Sequence, residues 1–106
     1  MRQFDVVKNA NPTTRAAYPY LLILQSDLLG TLVSRVVAPL VPLESLPRGA
    51  ATVLNPVMQI PDGEHVLLTQ QMSGVPLSSL KGPAICTLAG RRDEILSAVD
   101  QVFIGF

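Results

Sequence analysis

Few residues of this chain carry the chemistry that metal binding, cofactor binding or nucleic-acid binding requires. Its 106 residues include eight Lys or Arg and eight Asp or Glu, so the chain lacks the excess positive charge with which proteins bind a phosphate backbone. A single cysteine, Cys86, excludes an intramolecular disulfide, and one cysteine with one histidine falls short of a metal ligand set. The glycines are isolated, which argues against a phosphate-binding loop or a dinucleotide fingerprint. The sequence therefore predicts no cofactor, no metal and no direct contact with DNA or RNA.

Long apolar runs are missing as well. Prolines and charged residues interrupt every candidate before it reaches the roughly 18 residues of a membrane span. Residues 1–5 lack the pattern of a secretion signal. We therefore expect a cytoplasmic protein, without a membrane contact, that forms one domain over residues 1–106. Its hydrophobic fraction of 48% exceeds what a small monomer easily buries, which predicts that a second copy or a partner covers the surplus.

The sequence pattern changes once, from strand-like to helical. Nine prolines between Pro12 and Pro83 restrict helix to the last part of the chain. Before it, β-branched and apolar segments predict strands at residues 4–8, 18–24, 32–38, 57–60 and 65–69, with a short edge piece at 75–77. Residues 18–24 are apolar at both alternating sets of positions, so we expect this strand to be buried on both faces. The pattern predicts a mainly β domain with a C-terminal helix.

Turn signals separate the predicted strands. A Pro-Asp-Gly sequence at residues 61–63 predicts the turn of a β-hairpin. The Asn- and Pro-rich residues 9–14 are expected to form a surface loop. Pro39 is expected to close the third strand, residues 40–56 to form an irregular loop, and residues 81–83 to form another turn.

Residues 91–103 have the period of an amphipathic helix. Its apolar stripe consists of Ile95, Leu96, Val99, Val102 and Phe103, and Gly105 is placed to end the helix in the left-handed conformation. The last four residues, 103–106, then include three large apolar side chains where a terminus is normally polar. Two interpretations are open. Either Phe103 completes the core face and the last residues pack against the domain, or the tail is an exposed patch that anchors a partner.

Candidate catalytic side chains are few. His65 supplies, with Ser26 and Asp27, the residue types of a hydrolase triad, but their spacing resembles no nucleophile elbow. A lone histidine just after a hairpin turn is expected to be a solvated strand residue. Cys86 has no basic sequence neighbour that would activate it, so an inert thiol is expected. The Arg91-Arg92 pair, without interleaved aromatic residues, predicts a solvated helix start. We therefore expect a protein that acts by binding another protein.

Several short segments stand in an order and spacing that match one known family. They are MRQF at residues 1–4, YPY at 18–20, LQSDLL at 24–29, RVVAPL at 35–40, PV at 56–57, LTQQMSGVP at 68–76 and FIGF at 103–106. Together they resemble the CcdB family, the toxins of a bacterial toxin–antitoxin pair. Each motif alone is weak, and their common order along nearly the whole chain carries the resemblance.

The resemblance implies both a fold and a function. The implied fold is the SH3-like barrel of the CcdB and MazF toxins, with an antiparallel sheet, a small second sheet and a C-terminal helix, assembled as a homodimer. The implied function is to bind the DNA gyrase A subunit and to trap the cleavage complex of gyrase on DNA. The family's gyrase contacts correspond here to Ser26, Leu28, Leu29, Asp100, Phe103, Ile104, Gly105 and Phe106.

Two of these positions depart from the family pattern. Ile104 stands where the best-known member has tryptophan, and Asp100 replaces an asparagine. An aliphatic side chain lacks the stacking surface of an indole, which predicts a weaker contact with gyrase or a different preferred gyrase. Gly105 and an apolar final residue, Phe106, are kept.

The resemblance also implies an antitoxin and leaves other functions open. The antitoxin supplies the DNA-binding domain and a disordered segment that folds on the toxin, so the toxin reaches operator DNA only through it and co-represses the operon. Antitoxin contacts are expected near residues 9–15 and 40–50. One alternative is a MazF-like endoribonuclease, against which the absence of a basic cleft counts. Another is a regulatory homologue that binds the antitoxin without poisoning gyrase.

Overall fold

The fold is a curled antiparallel sheet with one helix packed against it. The computed structural model describes residues 1–29 and 31–105, apart from the side chain of Lys81. Its strands are β1 (Asp5–Asn9), β2 (Tyr20–Ile23), β3 (Ser34–Pro42), β4 (Val57–Ile60), β5 (Gly63–Leu67), β6 (Ser73–Pro76) and β7 (Leu80–Thr87), and its helix is α1 (Arg92–Ile104). Short 3₁₀ turns occupy Asp27–Leu29, Leu43–Ser45, Thr69–Gln71, Leu77–Ser79 and Ala89–Arg91. This is the predicted arrangement of strands followed by a terminal helix.

Strand β3 organises the sheet because it has three partners. Neighbouring strands follow the order β4-β5-β3-β2-β1-β7, and β6 also pairs with β3. The pairings of the described strands are antiparallel. The first half of β3 pairs with β6 and its last residues pair with β5, so the two strands take successive stretches of one edge. The small second sheet implied by the resemblance is therefore continuous with the main sheet through β3.

Strand β3 continues through Pro39, where the sequence pattern predicts that it ends. Leu40 and Val41 are buried strand residues, so the predicted irregular loop begins only after Pro42. The N and C=O groups of one strand residue point to the same edge, and at that edge Pro39 lies between the stretches paired with β6 and with β5. Its carbonyl accepts the Leu68 N–H at 2.9 Å. The missing N–H of the proline therefore removes no ladder hydrogen bond.

Both faces of the central strands are buried. One face contributes a core cluster that includes Val6, Leu22, Ala38 and Leu40, and the helix residue Ile95 packs into it. The alternate positions form a second cluster on the other face, with Val7, Leu21, Ile23, Val37 and Leu80. This confirms the prediction of burial on both faces for the part of residues 18–24 that forms β2, since its last three residues are at most 5% exposed.

Strand β7 contains a bulge where the sequence pattern predicts a turn. Lys8 pairs with Lys81 and Val6 pairs with Cys86, so residues 82–85 of β7 stand opposite a single residue of β1. Gly82 has a φ of 72°, which a residue with a side chain rarely adopts. The predicted turn at residues 81–83 is therefore wrong, and the Gly-Pro signal marks extra residues inside a strand.

Two local predictions are confirmed. Strands β4 and β5 form the predicted hairpin, with Ile60 opposite Gly63. Helix α1 ends at Gly105, whose φ of 87° is left-handed and whose N–H donates to the Gln101 carbonyl at 2.9 Å. Within the described ranges, no helix has the length and apolar character needed to cross a membrane.

Candidate functional site

The first predicted contact residues lie on a 3₁₀ turn a few residues after β2. We call the Asp27–Leu29 segment the leucine turn; its Leu28 and Leu29 side chains are 92% and 51% exposed. Apolar side chains stabilise a fold by leaving water, so Leu28 adds almost nothing to folding. Ser26 is half-buried in front of the turn, and its Oγ accepts the Leu28 N–H at 3.2 Å. The turn thus presents two leucines to solvent on a hydrogen-bonded backbone.

The N-terminal residues connect the leucine turn to the start of α1. The Asp27 carboxylate accepts the Gln3 N–H at 2.8 Å and lies 3.7 Å from the exposed Arg2 guanidinium. Phe4 is 3% exposed and has a φ of 69°, a conformation that persists only when the surroundings hold it. Its ring lies 5.5 Å below the Arg92 guanidinium. One continuous set of contacts therefore runs from the turn to the first residue of the helix.

The second predicted contact residues lie at the C-terminal end of α1. Phe103 and Ile104 are 73% and 57% exposed, and Asp100 is exposed as well. The interpretation in which Phe103 completes the core face is therefore wrong. At about 100° per residue, Phe103 lies about 80° from Ile95 on one side of the helix, whereas the second fully buried residue, Ala98, lies about 60° away on the other. The buried stripe thus turns away from Phe103.

Gly105 and Phe106 complete the predicted set. A Cβ added to Gly105 would meet no atom within 4 Å, so its left-handed backbone, and not a lack of space, favours glycine there. Phe106 lies outside the described residues. The helix end, residues 100–105, therefore presents two exposed apolar side chains, Phe103 and Ile104, just before its left-handed cap.

The leucine turn is connected to α1 at the beginning of the helix, far along the axis from Phe103. The contacts from the leucine turn reach α1 at Arg92. With a rise of about 1.5 Å per residue, Phe103 lies about 16 Å further along the helix axis. The contacts of the leucine turn described above therefore reach the beginning of α1 and not its end.

A third exposed apolar group was not singled out from the sequence. Leu32 and Val33 precede β3 and are 49% and 81% exposed, and Leu77 is 41% exposed. The Leu77 N–H donates to the Val33 carbonyl at 3.1 Å, so these residues are neighbours. The pattern assigned residues 32–38 to a strand, and only the general surplus of apolar residues indicated a covered surface.

His65 is buried, at 1% exposure, and is not the solvated residue that was predicted. Strand β5 is paired with both β3 and β4, which places His65 between Pro42 and Met58 of the neighbouring strands. The ring packs edge-to-face on Tyr20, with centroids 5.3 Å apart. Its Nδ1 lies 3.0 Å from the Gly63 carbonyl oxygen, and among the described residues Nε2 has no hydrogen-bond partner. Asp27 accepts a hydrogen bond from the Gln3 N–H and Ser26 accepts one from the Leu28 N–H. The three residue types of a triad therefore make separate contacts.

The other reactive and charged candidates have structural contacts. Burial raises the pKa of the Cys86 thiol, and the Asp5 carboxylate raises it further, which favours the unreactive thiol form. Arg91 is not simply solvated, because its guanidinium donates to the Val57 carbonyl at 3.0 Å and to Glu94. Across the described part of the chain, no group of three or more His, Cys, Asp or Glu side chains could hold a metal ion.

The predicted antitoxin regions border different surfaces. Asn9, Asn11 and Thr14 of the first region line a groove of about 380 Å³ with mixed walls, which include the polar Gln70 and Gln71 and the apolar Leu21 and Met72. The Asn9 amide donates to the Thr14 hydroxyl at 3.0 Å and to the Tyr18 carbonyl at 2.9 Å, which orders this loop. The second region, residues 40–50, starts with buried strand residues, so its surface begins after Val41.

A comparison with models of known protein families identifies the family of this chain. The model of the family described as CcdB protein matches residues 3–105. The chain belongs to the CcdB family. The resemblance in the sequence is thus confirmed, and with it an assignment as the toxin of a toxin–antitoxin system, which implies an antitoxin partner.

Solved structures confirm the fold of this CcdB-family protein. The Mycobacterium tuberculosis toxin MazF-mt6 superposes with a TM-score of 0.69 at 15% identity, over 96% of each chain. Another Mtb toxin has a TM-score of 0.69 at 19% identity, over 92% of this chain and 99% of the other. At these identities the likeness concerns the fold alone. The predicted CcdB and MazF toxin-type fold is therefore confirmed.

Proposed function

We propose that this CcdB-family protein is a gyrase poison. It binds the A subunit of DNA gyrase and traps the complex of gyrase with cleaved DNA, and it catalyses no reaction of its own. The observation that carries the proposal is the exposure of the large apolar side chains matched to the family's gyrase contacts, Leu28, Leu29, Phe103 and Ile104. Folding does not account for these exposed side chains, whereas apolar anchors of this kind dominate the affinity of protein interfaces.

The proposal includes a cytoplasmic homodimer. Two copies present two leucine turns and two helix ends to one gyrase. The exposed group of Leu32, Val33 and Leu77 supports a covering partner or copy, because a small monomer rarely leaves such neighbouring apolar side chains in water. The antitoxin contacts residues 9–15 and the surface part of residues 40–50, and through the antitoxin the toxin co-represses its operon.

One observation favours a second function. The MazF-mt6 toxin shares the fold over 96% of each chain, which keeps an endoribonuclease as the alternative. Against it stand the balanced charge of eight basic and eight acidic residues and the burial of the only histidine. Both features are poorly suited to binding and cleaving a phosphate backbone. A third candidate, a regulatory homologue that no longer poisons gyrase, rests on Ile104 and Asp100.

The deciding experiment combines two assays on the same purified protein. Co-purification with the gyrase A subunit, followed by a DNA-cleavage assay with gyrase holoenzyme, should give binding and accumulated cleaved DNA. An RNA-cleavage assay run in parallel should give no products. Specific RNA cleavage without gyrase binding would replace the proposal with the endoribonuclease. Normal growth of cells that express the chain without an antitoxin would favour the regulatory homologue.

Matched variants test the site. Leu28→Asp places a charge at the most exposed apolar position of the leucine turn and should abolish the gyrase contact. Val53→Asp is the control, because Val53 is also exposed, at 66%, but lies in the loop before β4. Equal loss of gyrase binding in both variants would contradict the assignment of the leucine turn.

A further inference from the structure

Gln25 connects the leucine turn to the edge of β3. The residue lies between β2 and the turn and is only 9% exposed. Both ends of its side-chain amide are used, because Nε2 donates to the Leu29 carbonyl at 3.0 Å and Oε1 accepts the Val36 N–H at 3.2 Å. Its backbone N–H donates to the Val36 carbonyl at 3.2 Å. One buried amide therefore joins the far end of the turn to a strand of the sheet.

The turn itself has little internal support. It contains no buried residue. Its local hydrogen bonds are few: Ser26 accepts the Leu29 N–H on its carbonyl at 3.0 Å and the Leu28 N–H on its Oγ at 3.2 Å, and the Leu29 carbonyl accepts the Leu32 N–H at 3.2 Å. Short 3₁₀ segments have poorer hydrogen-bond geometry than an α-helix, and exposed leucines add almost no packing. The conformation of the turn therefore depends on groups that bind it from outside.

Two such groups hold the turn from opposite ends. Asp27 at its start accepts the Gln3 N–H, in an exposed contact. Gln25 holds its last carbonyl, at Leu29, from inside the protein. The Gln25 contact is the less exposed of the two; the Leu29 carbonyl also accepts the Leu32 N–H at 3.2 Å, so Gln25 is the group that ties this end of the turn to the sheet.

We propose that Gln25 is a positioning residue, which fixes the leucine turn in the conformation that presents Leu28 and Leu29 to a protein partner. That this partner is the gyrase A subunit rests on the proposed function. A turn ordered before binding loses less conformational entropy in the complex, so the buried amide increases affinity without touching the partner. The side chain acts through the backbone of the turn.

Two variants remove the contact in different ways. Gln25→Met keeps the length of the side chain and removes both amide hydrogen bonds. Gln25→Glu keeps an acceptor for the Val36 N–H and replaces the donor to the Leu29 carbonyl with a carboxylate oxygen that repels it. Gln59→Met is the matched control, because Gln59 is exposed on β4 and, among the described residues, its Nε2 donates only to the adjacent Ile60 carbonyl, at 3.2 Å.

Amide hydrogen exchange measured on the whole protein separates a local role from a global one. Both Gln25 variants should speed exchange at Leu28 and Leu29 by about tenfold relative to amides of β1 and β2, and lower the affinity for the gyrase A subunit by about tenfold. The control should change neither. Unchanged exchange in the turn, or an equal increase at every amide, would overturn the positioning role, since a merely structural residue destabilises the whole fold.

The outcome also distinguishes this inference from the proposed function. If the unsubstituted protein does not bind the gyrase A subunit, the proposed function fails, while the exchange rates still decide whether Gln25 holds the turn. If Leu28→Asp lowers the affinity and the Gln25 variants leave it unchanged, the gyrase site stands and the positioning role is overturned.

Discussion

Helix α1 offers a pair of substitutions that separates folding from binding. Ile95 is 0% exposed and packs into the main core cluster, whereas Phe103, two turns later, is 73% exposed. Ile95→Ala removes fully buried methyl and methylene groups, which costs about 2–5 kcal/mol of unfolding free energy. For a domain of this size, that loss lowers the melting temperature by at least about 10 °C.

Phe103→Ala should behave differently. Only about a quarter of the side chain leaves water on folding, so its contribution is below about 1 kcal/mol of the 1.5–3 kcal/mol of a fully buried phenylalanine. Alanine is also the better helix former by about 0.5 kcal/mol, which offsets most of that loss. The melting temperature should therefore stay within a few degrees of the original protein.

Gyrase binding should show the reverse order. If Phe103 is an interface anchor, Phe103→Ala lowers the affinity for the gyrase A subunit by about 2 kcal/mol, or roughly 30-fold. The folded fraction of Ile95→Ala, measured below its melting temperature, should bind nearly as well as the original protein. Calorimetry and surface plasmon resonance on the same samples test both parts. The reasoning is refuted if Phe103→Ala unfolds as early as Ile95→Ala or binds gyrase unchanged.

Three further changes have defined outcomes. Gly105→Ala forces a side chain into the left-handed region and should cost about 1 kcal/mol by thermal unfolding, so an unchanged melting temperature would be contrary evidence. Thr69→Val removes a buried hydroxyl that donates to the Leu54 carbonyl at 2.7 Å. The substitution should lower the free energy of unfolding, measured in urea, by about 1–2 kcal/mol. A change near zero would show that this hydrogen bond does not stabilise the fold. Because the pKa of Cys86 is raised, the fraction of thiolate falls at a given pH, so this thiol should react with disulfide reagents more slowly than free cysteine at pH 8. Asp5→Asn should speed that reaction only in part, because burial is the larger cause of the raised pKa; a full return to the rate of free cysteine would contradict this order.

The parts of the fold that depend on nearby residues were predictable. The β4–β5 hairpin follows from a turn sequence between two strand-like runs, and α1 follows from its period and its glycine cap. The prediction that Pro39 ends β3 was wrong because a proline is tolerated in a strand when its missing N–H faces no partner. Whether it faces one depends on how β5 and β6 divide one edge of β3. The burial of His65 likewise depends on residues distant in the sequence, namely Tyr20 and the neighbours on β3 and β4.

The candidate site was predictable only as a set of residue names. The resemblance to the CcdB family supplied the eight positions, and the structure shows that the apolar ones among its described residues are exposed. The period of α1 could not place Phe103, because a residue at the border of a helical stripe is buried or exposed according to what packs beside it. The contacts of Gln25 were not predictable from the sequence, because its partner Val36 lies eleven residues further along the chain, on another strand.

The projection of α1 beyond its core contacts has an evolutionary consequence. Fully buried positions of the helix, such as Ile95 and Ala98, are constrained by packing, whereas the exposed positions 103 and 104 contribute little to the packing of the domain. A substitution such as the isoleucine at position 104 can therefore spread without first being compensated in the core. If the helix end is the gyrase contact proposed above, this toxin can follow changes in its target by exchanging residues in the last turn of one helix.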